Sequence, residues 1–190
     1  ANADWASYRG NSQRTAYSEQ GVPAGKWSMA WDSELLAAPE AAWPAPARGC
    51  LWQNLDKIES RLTADVGLVP VVARGPSGRW LVLVASTSDN GMVAWDASSG
   101  RVAWELGLEA PVRFAPEVRD GVAYFGADDG LVRAVSLDDG SVRWSVRIGP
   151  DLPWIFGNGK LISPHPIRTS VLLHDGKLLV HAGLFPSQGV

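Results

Sequence analysis

The sequence predicts an all-β fold: a β-propeller of four-stranded antiparallel blades, with about two and a half blades and an N-terminal arm within 190 residues. Three observations predict it. A segment repeats after 40 residues, short strand-like runs are separated by Asp-Gly turns, and ten tryptophans accompany 20 glycines and 13 prolines. Repeats of about 40 to 50 residues are typical of propeller blades. Many tight turns and large flat side chains suit sheets that stack face to face.

The repeat joins residues 94–104, AWDASSGRVAW, to residues 134–144, AVSLDDGSVRW. Four pairs of identical residues lie 40 positions apart in these segments: Ala94 with Ala134, Gly100 with Gly140, Val102 with Val142, and Trp104 with Trp144. Tryptophans repeated in register favour packing between successive blades over stacking on a ligand, because each blade must bury one face against the next.

A second repeat joins residues 111–121, PVRFAPEVRDG, to residues 166–176, PIRTSVLLHDG, with an offset of 55. The residues that make this offset longer than 40 lie in segment 149–163, GPDLPWIFGNGKLIS. Its prolines and glycines predict a loop insertion and not another strand.

Each repeat divides into strands. Residues 114–148 contain four strand-like runs, FAPEVR, VAYFGA, LVRAVSL and SVRWSVRI, separated by turns with Asp-Gly. Such turns accept positive φ and match the twist of antiparallel strands, so the unit predicts a meander. Residues 68–106 divide in the same way, and residues 167–183 supply about two further strands. The paired aspartates Asp128-Asp129 and Asp138-Asp139 are interpreted here as solvated turn residues.

The N-terminal arm, residues 1–65, differs from the blades that follow in residues 66–190. Residues 37–49, AAPEAAWPAPARG, predict an extended polyproline-like chain that wraps the propeller surface. Residues 51–62 place leucine and isoleucine at helical spacing and predict a short amphipathic helix, with a strand as the alternative. Residues 25–31, GKWSMAW, suggest an outer strand that closes the ring.

An incomplete ring leaves blade edges open. Three arrangements follow: a fragment of a longer protein, two copies that associate through their open edges, or a stable open array. The sequence does not give the total number of blades.

Composition excludes some functions and favours others. Lys and Arg total 17 against 20 Asp and Glu, a net charge of −3, which argues against a nucleic-acid partner. No apolar run is long enough for a membrane-spanning helix. The single cysteine, Cys50, excludes an intrachain disulfide. The opening Ala1-Asn2-Ala3 is similar to the end of a signal-peptidase site and predicts a periplasmic or secreted protein.

These segments resemble the pyrroloquinoline-quinone-type (PQQ-like) β-propeller repeat, A-x-D-x-x-[ST]-G-x-x-x-W. The first copy matches at five positions: Ala94, Asp96, Ser99, Gly100 and Trp104. The second copy keeps Ala134, Gly140 and Trp144 but has Ser136 and Asp139 at the two remaining positions. The opening DWASYRGNSQRTA is similar to the W-x-x-[YF]-R-G leader of these proteins, and the resemblance covers residues 4–16 and about 68–190.

The resemblance implies structural roles for the repeated residues: Asp96, Gly100, Trp104, Gly140 and Trp144. The tryptophan would dock one blade on the next, and the glycine would let the turn close. For Asp96 the interpretation as a turn-capping acceptor is preferred over a calcium ligand.

The enzymes of this family bind PQQ and calcium above the propeller channel. The resemblance implies that such an enzyme would carry an adjacent Cys-Cys disulfide, a tryptophan facing the quinone, and Glu, Asn and Asp near the metal. The sequence has no Cys-Cys pair. We therefore expect no cofactor and a non-catalytic platform that binds a protein partner or a small ligand at the propeller face. The alternative is a fragment of a PQQ- and calcium-dependent dehydrogenase.

A third hypothesis is a sensor for an anionic small molecule. Arg113 and Arg168 occupy the same place in successive repeats, just after the proline that begins the innermost strand. Near the channel they could hold a carboxylate or phosphate. Pairing of each arginine with an acidic residue of the adjacent blade is the competing interpretation. Trp154, Asn158 and His165, around the insertion, complete the candidate ligand-binding set. The three histidines lack zinc spacing, so no metal site is predicted.

Overall fold

The computed structural model describes residues 5–11, 13–18, 21, 24–33, 68–157 and 160–183. Within these ranges all regular structure is β, in strands numbered β1 to β12, and no helix occurs. The all-β prediction is therefore confirmed. The proline-rich segment 37–49 and the predicted helix 51–62 lie outside the described residues.

Two four-stranded antiparallel meanders form the body of the structure. The strands of blade I are β1 (Val71–Arg74), β2 (Trp80–Ser86), β3 (Gly91–Asp96) and β4 (Val102–Gly107). The strands of blade II are β5 (Glu117–Arg119), β6 (Val122–Gly126), β7 (Leu131–Ser136) and β8 (Val142–Arg147). The strand order follows the sequence in both sheets, as the short glycine-containing turns between the strands predict.

The two blades share a backbone irregularity as well as the same strand order. The pairing of β3 with β4 shifts register between Ala94 and Trp95, and that of β7 with β8 shifts between Ala134 and Val135, 40 residues later. A bulge of this kind increases local twist and re-aims the side chains that follow. The sequence repeat is thus also a repeat of backbone irregularity.

The main hydrophobic core joins blade I to blade II. Leu81 and Leu83 alternate with half-buried residues along β2, whereas β3 is buried at five successive positions. Alternation is expected where only one face of a strand is covered, and continuous burial where both faces are covered. Phe125 and Leu137 of blade II are 1% and 0% exposed in the same cluster. The blades therefore fold as a stacked pair.

Beyond blade II the chain forms two hairpins. β11 (Leu172–His174) pairs with β12 (Lys177–Leu179), which confirms the two strands predicted in the last unit. β9 (Ile155–Gly157) pairs with β10 (Lys160–Ile162), and we call this the insertion hairpin. The prediction of a loop without strands in residues 149–163 was wrong. Asn-Gly between two short apolar runs is a strong hairpin signal, and it was outweighed by the surrounding prolines and glycines.

The described part of the N-terminal arm contacts the first strands of both blades. Trp5 forms a β-bridge with Val72 of β1, and the Val118 N–H of β5 donates to the Ala6 carbonyl at 2.7 Å. First strands line the centre of a propeller. This segment therefore lies against the innermost strands. The segment 37–49, which was expected to wrap the propeller surface, lies outside the described residues.

The strand expected at residues 25–31 is not formed, since described residues 24–33 carry no strand. A strand needs a partner for its backbone N–H and C=O groups, and no described strand pairs with this segment. It is nevertheless fixed to blade I through Trp31, as described below.

Candidate functional site

Blade I docks on blade II through Trp104. The indole N–H donates to the Leu137 carbonyl at 2.8 Å, and the ring packs on Gly140. A Cβ at Gly140 would lie 2.6 Å from the Trp104 ring, and the glycine has φ of +71°. Both the contact and the backbone conformation require glycine here.

Trp31 of the arm makes the same contact one repeat earlier. Its indole N–H donates to the Ala97 carbonyl at 2.8 Å, and a Cβ at Gly100 would lie 2.6 Å from its ring. The carbonyl and the glycine each precede their blade II counterparts by 40 residues. The arm thus supplies the docking tryptophan that an earlier blade would supply. Trp144 of β8 is 39% exposed and packs against Tyr124, with ring centroids 6.0 Å apart.

Two aspartates cap the turns before the last strand of each blade. Asp96 Oδ1 accepts hydrogen bonds from the backbone and hydroxyl groups of Ser98 and Ser99, which lower the pKa of Asp96. Asp139 Oδ1 accepts from the N–H and hydroxyl of Ser141, and these bonds lower the Asp139 pKa to about 2. The carboxylate of Asp96 is directed at its own turn.

Arg113 and Arg168 converge on a single buried carboxylate. Asp128 Oδ2 accepts from Arg113 Nε at 2.8 Å and from Arg168 Nη2 at 3.0 Å, while Oδ1 accepts from Arg168 Nε at 3.3 Å. The Asp128 side chain is 0% exposed. Charge-assisted hydrogen bonds of this kind are about twice as strong as neutral ones. We call these three residues the arginine–aspartate junction.

The junction ties blade II to the segment that follows it. Arg113 precedes β5, Asp128 lies in the turn between β6 and β7, and Arg168 precedes β11. Backbone bonds support it: Ser163 N–H donates to the Asp128 carbonyl at 2.8 Å, and Ile167 N–H donates to the Ala127 carbonyl at 3.1 Å. The interpretation of Asp128 as a solvated turn residue was wrong.

The neighbouring Asp129 is buried as well, so the same interpretation was wrong for it. It is 3% exposed and forms an ion pair with Arg133, while Arg147 Nη1 donates to its backbone carbonyl at 2.9 Å. Buried carboxylates need such partners because desolvation of an unpaired charge is costly. The turn between β6 and β7 is therefore a charged junction and not a surface loop.

Lys160 anchors the insertion hairpin to blade I. Its Nζ donates to the carbonyls of Thr87 and Ser88 at 2.7 and 3.1 Å and to Asn90 Oδ1 at 3.0 Å. These acceptors lie in the turn between β2 and β3. A single ammonium with three acceptors holds the hairpin across the end of the blades.

The insertion hairpin exposes apolar side chains. Phe156 is 77% exposed, Leu161 56% and Ile155 37%, whereas Ile162 is fully buried. An apolar surface of this kind on a fixed element is typical of an interaction site. The sequence signals for this surface were the two apolar runs inside the predicted loop.

The remaining candidates do not join the junction. Among the described residues, the hydrogen bonds to the Asp128 carboxylate come from Arg113 and Arg168, not from His165 or Trp154. His165 is half-buried, and its buried Nδ1 has no hydrogen-bond partner there. Trp154 is half-buried just before β9, and Asn158 lies outside the described residues.

The described residues do not fit a metal site. No group of three His, Cys, Asp or Glu side chains among them could hold an ion. Both oxygens of Asp128 already accept from guanidinium groups, so this carboxylate is a poor ligand for calcium. In the same part of the chain, no helix has the length and apolar character needed to cross a membrane.

Four-stranded blades docked by tryptophans in register define a β-propeller of the PQQ-like repeat class. Residues 27–189 match the family model described as "Outer membrane protein assembly factor BamB". The chain belongs to this family. The PQQ-like resemblance inferred from the repeats is therefore confirmed.

Relatives of two kinds match parts of the chain. Outer membrane protein assembly factor BamB of Yersinia pestis is 34% identical over 84 residues, which cover 42% of this chain and 20% of the relative. Lanthanide-dependent methanol dehydrogenase of Methylacidiphilum fumariolicum (strain SolV) is 34% identical over 58 residues, 30% of this chain and 10% of that enzyme. The matches thus span about a fifth or less of these relatives.

Solved structures share the fold. Quinohemoprotein alcohol dehydrogenase from Comamonas testosteroni superposes with a TM-score of 0.59 at 17% identity, covering 95% of this chain and 23% of the enzyme. A europium-containing methanol dehydrogenase gives 0.55 at 14% identity, covering 95% and 27%. At these identities the similarity establishes the fold alone. The propeller class predicted from the sequence is confirmed.

Proposed function

We propose that this chain is part of an exported, non-catalytic β-propeller that binds a protein partner through the insertion hairpin. The observation that carries the proposal is an apolar surface on an anchored element. Phe156 and Leu161 are exposed, while Lys160 between them in the hairpin is fixed to three acceptors of blade I. A site held rigid before binding loses little conformational entropy when a partner docks.

The family supports a protein partner and an exported location. The matching family and the Yersinia pestis relative are named as outer membrane protein assembly factors. A partner from outer membrane protein assembly is therefore the first one to test.

Photo-crosslinking in the cells that make the protein tests the proposal. A photoreactive amino acid replaces Phe156 in the full-length protein, and the cross-linked product is identified by mass spectrometry. The matched control replaces Val102 of β4, which is 49% exposed on the outer strand of blade I. We expect a product with an outer membrane assembly protein from position 156 and none from position 102.

The variant Lys160→Met provides the second arm. It removes the ammonium that binds the turn of blade I but keeps a long apolar side chain. We expect the cross-link from position 156 to weaken, because the hairpin loses its anchor. Equal cross-linking from positions 156 and 102, or no product from either, would contradict the proposal.

A catalytic role is the second candidate, favoured by the 34% identity to a methanol dehydrogenase over 58 residues. The sequence lacks the Cys-Cys pair, and the described residues offer no metal cluster. Titration of the longest available form with PQQ and calcium, followed by dialysis and a dye-linked alcohol oxidation assay, tests it. Retained absorbance with dye reduction would replace the platform proposal by an enzymatic one.

The hypothesis of anion binding by Arg113 and Arg168 stays a prediction. Their contacts with Asp128 support the competing role of a tie between propeller units. Arg168→Ala separates the two hypotheses. Reduced stability with unchanged binding of small carboxylates or phosphate would support the tie.

A further inference from the structure

A second cluster of charged side chains lies in the leader, described at residues 5–11 and 13–18. The guanidinium carbon of Arg9 lies 5.6 Å from the centroid of the Tyr8 ring, and that of Arg14 lies 6.0 Å from it. Cations are attracted to the face of an aromatic ring within about 6 Å. One exposed tyrosine therefore holds two like charges close together.

Within the part of the chain that the structure describes, no ion pair joins Arg9 or Arg14 to a carboxylate. Arg14 interacts electrostatically with Glu117 of β5, which is 5% exposed. Burial raises the pKa of Glu117, while Ser7, Arg119 and Arg14 act in the opposite direction. No described ion pair joins Glu117 to Arg14. Among the described residues, the two guanidinium groups therefore have no carboxylate in direct contact, and Glu117 acts on Arg14 without forming an ion pair with it.

The backbone holds this pair in place. Arg9 and Arg14 have φ of +61° and +56°, a conformation that side chains with a Cβ adopt rarely. Arg14 N–H donates to the Asn11 carbonyl at 2.8 Å, and Ala16 N–H donates to the Arg9 carbonyl at 3.0 Å. Unfavourable backbone conformations persist where surrounding contacts enforce them, and they cluster at functional sites.

The leader is also fixed to the propeller centre. Trp5 bridges to Val72 of blade I, Ala6 accepts from Val118 of blade II, and Gly10 packs on the Trp5 ring. The arginines are thus presented on a rigid base beside the innermost strands. Rigid presentation favours binding because less freedom is lost on association.

We propose that Tyr8, Arg9 and Arg14 form a binding site for a carboxylate-bearing ligand. The planar N–H edges of guanidinium groups match the two oxygens of a carboxylate, and stacking on an aromatic ring leaves those edges available. The ligand is a small dicarboxylate or the acidic side chains of a peptide. The site is separate from the insertion hairpin and does not depend on the proposed partner.

Isothermal titration of the full chain with three probes tests this site: acetylated tetraglutamate, succinate and inorganic phosphate. The variant carries Arg9→Gln and Arg14→Gln, and the matched control carries Arg101→Gln and Arg143→Gln, two exposed arginines of the blades. We expect a carboxylate probe to bind the wild type and to lose about tenfold or more in affinity in the leader variant, since bonds to charged groups are strong. The control should stay within about twofold of the wild type.

The probes separate the sources of the ligand. Binding of tetraglutamate alone indicates an acidic peptide, and binding of succinate indicates a small dicarboxylate; either outcome supports the site if it depends on the leader arginines. Absence of carboxylate binding, an equal loss in the control, or phosphate binding as tight as carboxylate binding would overturn it.

A conservative variant, Arg14→Lys, tests the site in case the glutamine variant does not fold. It keeps the charge but removes the planar donor pair, so we expect an intermediate affinity with an unchanged circular dichroism spectrum. Full affinity in this variant would overturn the proposed recognition by guanidinium geometry.

Discussion

Asp128→Asn tests the arginine–aspartate junction most directly. Asparagine keeps the shape of the side chain but removes its charge, and it turns an N–H₂ group toward guanidinium donors. Asp128 is 0% exposed, and the side chains of Arg113 and Arg168 are 6% and 14% exposed. Breaking a buried ion pair by removing one partner costs about 3 to 5 kcal/mol, because the remaining charge stays buried without compensation.

We expect the free energy of unfolding to fall by that amount in Asp128→Asn. For a domain of this size each kcal/mol lowers the melting temperature by about 2 to 4 °C, so the midpoint should drop by about 6 to 20 °C. Urea unfolding followed by tryptophan fluorescence and by circular dichroism measures the change. Coincident transitions from the two probes establish that a two-state free energy applies.

The matched control is Asp151→Asn. Asp151 also pairs with an arginine, Arg147, at 3.3 Å, but its side chain is 77% exposed. An exposed ion pair contributes about 0 to 1 kcal/mol. If both variants lose the same small amount of stability, the junction is not a buried tie and the reasoning fails.

A triple substitution separates the cost of a broken pair from the net value of the intact one. Asp128→Leu with Arg113→Met and Arg168→Met replaces all three charges by apolar groups. Such replacements are often neutral or stabilising, so we expect this variant to be more stable than Asp128→Asn. Greater instability of the triple variant would show that the junction itself favours folding.

Two further predictions concern the blade contact and pH. In urea unfolding, Gly140→Ala should lower stability more than Gly176→Ala. Both glycines have φ near +70°, but a Cβ at Gly140 would lie 2.6 Å from the Trp104 ring, whereas nothing lies within 4 Å of a Cβ at Gly176. Equal losses of stability would leave backbone strain as the sole cause. Burial raises the pKa of Glu117 above 4.5, so the folded state binds more protons and stability should fall as pH rises from about 4.5. Glu117→Gln should remove that fall in stability measurements between pH 4.5 and 7, and an unchanged pH profile would contradict the assignment.

The blades could be predicted because their signals are local and repeated. Short apolar runs indicate the strands, a glycine marks each turn of both blades, and the 40-residue period indicates a four-stranded blade. The tryptophan contact was predictable for a related reason. Trp104 and Gly140 repeat in register, and packing between blades requires both.

The structures of the insertion and of the arm were harder to predict from the sequence because they depend on contacts with distant parts of the chain. The hairpin that carries Phe156 rests on Lys160, whose acceptors lie about 70 residues earlier in the chain. The leader pairs with β1 and β5, far from it in sequence. The Asn-Gly signal of the hairpin is local, but no local pattern encodes the long-range contacts that fix the hairpin to blade I and the leader to β1 and β5.

The two turns of blade II with paired aspartates, Asp128-Asp129 and Asp138-Asp139, show why turn residues are difficult to interpret from sequence. Asp128 in one turn binds Arg168 of the following unit, while Asp138 in the other accepts from the N–H and hydroxyl of Ser77 in blade I, at 3.0 and 2.7 Å. From the sequence, the aspartates of both turns were interpreted as solvated hairpin residues. In the structure, Asp128 and Asp138 each connect blade II to a different neighbour. The exposed bond to Ser77 contributes about 1 kcal/mol, whereas loss of the buried charge costs several. Both aspartates therefore connect blade II to another unit, and burial makes the contact of Asp128 the more important one for stability.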